Sequence, residues 1–143
     1  LSIGLHEELL KDIPEVQKDL RTRALIELAW SRISRVAWNR SFDDPNITQG
    51  LAEAEEAFRL AEQPLDKFTA AYTIAYGLLF TPKRDNGAIL ERLTQAQQWF
   101  QKVPGSTPES WRYLLMNDTF RGVVQSDPSF QPLLAASPHR AGS

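Results

Sequence analysis

Acidic side chains are the most concentrated reactive groups in this sequence. Glu53, Glu55, Glu56 and Glu62 lie within a single segment of ten residues. Carboxylates held close together could bind a metal ion or perform acid–base catalysis. Successive residues of a helix point about 100° apart, so these side chains do not converge on one point. We interpret the segment as a solvent-exposed acidic helix face and predict neither a metal site nor a catalytic carboxylate.

The sequence offers few other residues or motifs that could support catalysis. The chain has no cysteine, which excludes disulfides, thiolate catalysis and cysteine-bound zinc. Its two histidines, His6 and His139, lie near opposite ends of the sequence. Glycine-rich phosphate loops, the nucleophile elbow and the His-Glu-x-x-His zinc motif are all missing from the sequence. We therefore predict a protein that is not an enzyme and that needs no cofactor.

Charge is unevenly distributed between two neighbouring segments. Residues 21–40 carry a net charge of +4, and residues 43–62 carry −5. The segments could pair with each other, or the basic one could receive an acidic peptide or carboxylate. Arg32 is the strongest candidate for binding such an acidic group, because it falls within an apolar helix face. A buried arginine needs a partner, which is more often an internal carboxylate than a ligand.

Three aromatic residues are candidates for contact with a partner. Tyr72 and Tyr76 lie one helical turn apart, where each could line a groove or pack in the core. Aromatic side chains prefer interiors, which favours the core. Trp38 falls opposite the apolar face of its helix, so it is either exposed or covered by another segment.

Composition indicates an ordinary single globular domain. The 143 residues are 42 % hydrophobic and 24 % charged, with a formal net charge of −2. Mild acidity argues against nucleic-acid binding. The longest apolar run, Phe68 to Phe80, is shorter than the ~20 residues of a membrane span. We expect one domain over 1–136 and a flexible tail over 137–143.

The first residues of the sequence bear on whether the chain is a fragment and on its cellular location. It starts at Leu1 without a methionine, so we expect a fragment or a processed form, and no secretory signal is visible. On that basis we place the protein in the cytoplasm.

Helical spacing dominates the sequence, and strand signals are nearly absent. Proline and polar clusters divide the chain into helices, with Asn46 or Thr48 as the cap of the third. The predicted helices are Gly4 to Lys11, Pro14 to Asn39, Ile47 to Gln63, Leu65 to Phe80, Asn86 to Val103 and one that begins at Pro108. The segment Asp127 to Leu134 follows as a cap, one turn and an apolar plug. Because Leu65 to Phe80 is apolar nearly all round, we expect it to be the central, most buried helix.

Two helix pairs align when the sequence is shifted by 42 residues. Trp30 aligns with Tyr72 in the first helices, and Phe58 aligns with Phe100 in the second. The second helices share the pattern Leu-x-x-Ala-x-x-x-Phe-x-x-small. Since one helical hairpin leaves an apolar face uncovered, neighbouring hairpins must stack.

The series Ala54, Phe58, Ala61 and Pro64 resembles the second helix of a tetratricopeptide repeat (TPR), a helix-turn-helix unit of about 34 residues. The closing stretch from Phe120 to Leu134 resembles the ends of bacterial TPR-like regions. The period is longer here, and the Trp-x-x-Leu-Gly-x-x-Tyr half of the motif is not reproduced. The resemblance implies an all-α fold of stacked antiparallel hairpins, a TPR-like right-handed solenoid of about two and a half repeats at 21–64, 65–106 and 107–134.

The function we expect is a protein–protein interaction module within a larger regulatory, signalling or assembly protein. Its first helices would present a groove to a protein or peptide partner, and an acidic peptide is one such partner. The groove residues we predict are Arg32, Arg35, Asn39, Tyr72, Tyr76 and Asn117. The alternative is a helical sensory domain that binds a small molecule between helices, with Tyr72 or Arg32 as a polar anchor.

Overall fold

A computed structural model describes residues 3, 4, 7, 17–40 and 44–134. These residues form an all-helical fold, and no strand occurs among them. The helices are α1 (Lys18–Asn39), α2 (Pro45–Leu60), α3 (Pro64–Leu78), α4 (Asn86–Phe100), α5 (Pro108–Leu115), α6 (Arg121–Ser126), a 3₁₀ turn (Pro128–Phe130) and α7 (Gln131–Leu134). The predicted helix Gly4 to Lys11 and the predicted tail over 137–143 lie outside the described residues, apart from residues 4 and 7.

Local signals in the sequence account for most helix ends. Pro45, Pro64 and Pro108 each occupy the first helical turn, where a missing N–H costs no hydrogen bond. The cap of α2 corrects our expectation, because Asp44 rather than Asn46 or Thr48 caps the helix. Its carboxylate accepts a hydrogen bond of 2.8 Å from the Asn46 backbone N–H.

Three helices end two or three residues earlier than the apolar periodicity predicts. They are α2, α3 and α4, which end at Leu60, Leu78 and Phe100. In α2 the backbone is already extended at Ala61, ahead of Pro64. The residue before a proline is also disfavoured in the helical conformation. The periodic apolar residues continue past these points as turns packed on the core.

Consecutive helices pack as antiparallel neighbours. Arg21 near the start of α1 reaches Glu56 late in α2, whereas Arg32 reaches Asn46 in the first turn of α2. α3 and α4 also pack closely, and the Phe68 and Phe100 ring centroids are 4.8 Å apart. Each pair therefore forms a helical hairpin.

The first helices of the pairs run side by side in the same direction. Trp30 and Ser34 of α1 contact Tyr72 and Tyr76 of α3, respectively, and each contact joins residues 42 positions apart. The Tyr72 hydroxyl donates a hydrogen bond to the Leu114 carbonyl of α5, again 42 positions along. α1, α3 and α5 thus form one layer of adjacent helices.

The core is centred on α3, as its composition predicts. Every residue from Ala70 to Gly77 is buried. Around it lie the largest fully buried side chains, Trp111, Phe120 and Phe130. The Trp111 indole N–H donates a hydrogen bond to the Leu133 carbonyl, so the closing segment is fixed directly to α5.

Candidate functional site

Aromatic side chains cover one side of the layer formed by α1, α3 and α5. The Trp30 ring lies 4.3 Å from the Tyr76 ring and 6.4 Å from the Tyr72 ring, to which it is nearly parallel. Trp30 is 39 % exposed, whereas Tyr72 and Tyr76 are buried beneath it. Aromatic rings of this kind give a surface that is apolar but retains polar atoms at its edges. We call these three residues the aromatic face.

A shallow hollow of about 470 Å³ opens beside the aromatic face. Three helices contribute to its lining, which is Ile26, Glu27, Trp30, Ser31, Phe68, Thr69, Tyr72 and Leu114. Most of this surface is apolar, and Glu27 is its one charged residue. Its composition suits apolar side chains of a binding partner, with polar atoms at the border to orient them. We call it the first hollow.

Hydrogen bonds fix the orientation of Tyr72. Its hydroxyl donates to the Leu114 carbonyl at 3.0 Å and accepts a hydrogen bond of 3.0 Å from the Asn117 amide. Burial raises the pKa of Tyr72, so the phenol stays protonated and keeps its donor. Asn117 also accepts hydrogen bonds from the backbone N–H groups of Thr119 and Phe120. Two of the predicted groove residues, Tyr72 and Asn117, are therefore in direct contact.

Tyr76 is held from the other side, by α1. Its hydroxyl lies 3.1 Å from the Ser34 hydroxyl, and its ring packs edge-on against Phe80 at 5.4 Å. Tyr76 is only 8 % exposed. It therefore supports the floor of the aromatic face from below and leaves the exposed contact area to Trp30.

A second hollow of about 590 Å³ lies near the C-terminal end of α3. Its lining is Leu79, Phe80, Thr81, Pro82, Arg84, Asp118, Thr119, Gly122 and Val123. Asp118 forms an ion pair of 3.6 Å with Arg121, whereas Arg84 has no ion-pair or hydrogen-bond partner among the described residues. This second hollow combines apolar walls with an available cation.

Arg32 is buried on the side of α1 that faces α2. Its guanidinium donates hydrogen bonds to Glu53 at 2.8 Å, to Glu7 at 2.6 Å and to the Asn46 side chain at 3.1 Å. Burial raises the pKa of Glu53, and the neighbouring Glu7 and Glu56 carboxylates act in the same direction against Arg32. The guanidinium of Arg32 is thus occupied by internal partners.

Arg35 and Asn39 are exposed, one and two turns after Arg32 on α1. Neither lines the first or the second hollow. The structure therefore divides the six predicted groove residues into three sets. Tyr72 and Tyr76 belong to the aromatic face and Asn117 is hydrogen-bonded to it, Arg32 contacts α2 instead, and Arg35 and Asn39 are exposed away from both hollows.

Among the residues that line the two hollows, Tyr72 alone was predicted from the sequence as a groove residue. Those that sequence reasoning missed include Trp30, Phe68, Leu114 and Arg84. The 42-residue alignment of Trp30 with Tyr72 was a usable signal, because equivalent positions on stacked helices lie side by side. Trp38 is 88 % exposed, the largest exposed fraction among the large hydrophobic residues described.

Neither a metal-binding cluster nor a membrane-spanning helix occurs among the described residues. No group of three or more His, Asp or Glu side chains within the described ranges is placed to hold a metal ion. No helix in this part of the chain is long and apolar enough to cross a membrane. The first hollow offers apolar area with fixed polar groups at its border.

Comparisons with known proteins add no assignment. No protein-family model, curated protein or solved structure matches this chain.

Proposed function

We propose that this chain is a protein-interaction module whose first hollow receives apolar side chains of a peptide segment. The observation that carries this proposal is Trp30, which is 39 % exposed over the buried rings of Tyr72 and Tyr76. A partly exposed tryptophan in a mostly apolar hollow is typical of the residues that dominate binding energy at interfaces. Rigid support beneath it reduces the entropy lost on binding.

The proposal includes a TPR-like arrangement of stacked hairpins. The contacts that join residues 42 positions apart support it. The environments of the aligned phenylalanines also support it. Phe58 of α2 contacts Lys67 of α3, and Phe100 of α4 contacts Trp111 of α5. Each ring lies between its own hairpin and the helix that follows, as stacking of similar units requires.

A displayed library of random peptides, selected on the whole chain, tests the function. We expect enriched peptides to share closely spaced apolar residues and to lose at least about tenfold in affinity when Trp30 is replaced by Ala. The Tyr113→Ala variant is the matched control, because Tyr113 is 76 % exposed and lies outside both hollows. Enriched peptides that bind the Trp30→Ala variant unchanged would contradict the proposal.

A second variant separates lost binding from lost folding. Thr69 lines the first hollow and is half-buried, so Thr69→Arg places a long side chain across it without removing a core residue. Arginine also favours the helix more than threonine does. We expect this variant to keep its helical circular dichroism and its unfolding midpoint while losing the selected peptides.

Small-molecule binding is the second candidate. A volume of about 470 Å³ is within the range of ligand sites, and Tyr72 could anchor a polar group. The partial exposure of Trp30 favours a peptide, because most small-molecule sites enclose their ligand. A thermal-shift screen against metabolites distinguishes small-molecule binding from peptide binding. A rise of several degrees in the unfolding temperature with one compound supports the sensory function.

A further inference from the structure

The two hollows follow the same helix. The first includes Phe68 and Tyr72 of α3, and the second begins at Leu79. Across from α3, the lining passes from Leu114 in the first hollow to Asp118 in the second. Between them, Asn117 is hydrogen-bonded to Tyr72. A single bound segment running along α3 would meet both hollows in turn.

Charge differs between the two hollows. Glu27 is the one charged residue that lines the first. The second contains Arg84, which is exposed and has no ion-pair partner in the described part of the chain. Lys83 and Asp85 on either side of it are both exposed and carry opposite charges. Asp118 is the acidic residue of this hollow, and its exposed side chain pairs with Arg121 at 3.6 Å. The three basic residues Lys83, Arg84 and Arg121 outnumber the two acidic residues Asp85 and Asp118, which leaves a net charge of +1 around the hollow. The second hollow therefore favours an anionic group.

We propose that the partner is an acidic peptide segment that spans both hollows. This inference rests on the proposed function. An apolar side chain enters the first hollow, and an Asp or Glu side chain of the same segment meets the Arg84 guanidinium. Arginine matches a carboxylate with two parallel hydrogen bonds, which gives geometric selectivity as well as attraction.

The experiment repeats the random-peptide selection on the whole chain and on its Arg84→Glu variant. We expect wild-type selections to be enriched in peptides that combine an apolar residue with an Asp or Glu residue. Selections on Arg84→Glu should replace these acids with Lys or Arg, and the acidic peptides should bind the variant about five- to tenfold more weakly. The weakening should diminish at high salt, because an exposed ion pair is screened.

Arg59→Glu provides the matched control. Arg59 is an exposed arginine in the last turn of α2, outside both hollows. The same charge reversal there should leave the selected sequences and their affinities unchanged. Equal weakening by Arg59→Glu would show a general effect of net charge and would overturn the assignment of Arg84.

The outcomes separate this inference from the function on which it rests. Peptides that depend on Trp30 but show no acidic preference, or that are identical for wild type and Arg84→Glu, overturn the acidic partner and leave the interaction module intact. If no selected peptide depends on Trp30, both proposals fail.

Discussion

Gly77 of α3 lies close to both α1 and α2. A Cβ atom at this position would lie 2.7 Å from Leu51 Cδ2 and 2.9 Å from Ile33 Cδ1. Both atoms are terminal methyl groups of side chains, but Ile33 is fully buried within the main core, which limits the space into which its methyl group can shift. Glycine here costs helix stability, but it permits a helix contact that a larger residue would force apart.

We therefore expect Gly77→Ala to lower the free energy of unfolding by about 1–2 kcal/mol, because overpacking outweighs the gain in helix propensity. Gly122→Ala is the control, since nothing lies within 4 Å of its Cβ position in α6. That substitution should raise stability by about 0.5–1 kcal/mol. Urea unfolding of both variants measures the difference, and stabilisation by Gly77→Ala would contradict the close packing of α3.

Glu53 gives the chain a defined pH dependence. Burial raises its pKa, so the folded state binds this proton more tightly than the unfolded chain does. The stability that proton binding by Glu53 contributes is therefore complete below the ordinary glutamate pKa. This contribution is lost as the pH rises through the raised pKa of Glu53. The groups that face it are Arg32, Glu7 and Glu56.

A comparison of wild type with Glu53→Gln isolates this contribution. As the pH falls from neutral towards the raised pKa of Glu53, we expect wild type to gain stability relative to the variant, which lacks the ionisable group. Denaturant unfolding at a series of pH values provides the measurement. If wild type instead loses stability relative to Glu53→Gln as the pH falls, the Arg32 contact, rather than burial, dominates the pKa of Glu53.

The residue types in the sequence predicted part of these contacts. Arg32 within an apolar stripe indicated a buried cation in need of a carboxylate, because an unpaired buried charge is too costly. The identity of those carboxylates depends on packing between distant segments, which periodicity does not encode. Arg84 lies after α3 in a turn, so no helical spacing could place it beside Val123.

At the scale of whole elements, the closing segment covers the last hairpin. Phe130 is fully buried, and the Leu133 carbonyl accepts hydrogen bonds from the Trp111 indole and from the Gln97 amide. Asp127 caps the 3₁₀ turn through its bond to the Ser129 backbone N–H, and it also bonds the Asn86 amide. The sequence predicted this plug because an aspartate cap precedes proline and apolar residues. The hydrogen bonds of this segment to α4 and α5 could not be predicted from the sequence.

Phe130→Ala should remove much of the cover that the closing segment provides. We expect a loss of about 3–5 kcal/mol in the free energy of unfolding, because a fully buried ring leaves a cavity. Gln131→Ala, at an exposed neighbouring position, should change stability by less than about 0.5 kcal/mol. Urea unfolding tests both variants, and equal small effects would mean that the closing segment does not belong to the core.

At the scale of the whole molecule, two adjacent first helices, α1 and α3, create the aromatic face. Tyr72 alone would be an ordinary core residue, but α1 supplies Trp30 above it and the α5 region supplies Asn117 beside it. The 42-residue alignment predicted that equivalent positions lie side by side. It could not predict that Trp30 stays partly exposed, because exposure depends on how far α3 covers α1.

The indole N–H signals of the four tryptophans test the proposed binding surface most directly. In a two-dimensional NMR titration with a peptide selected on the whole chain, we expect the Trp30 signal to shift to saturation, assigned by its disappearance in Trp30→Phe. The signal of Trp111, which is fully buried and bonded to Leu133, should stay in place. A Trp30 signal that does not move while the peptide saturates the chain would contradict binding at the first hollow.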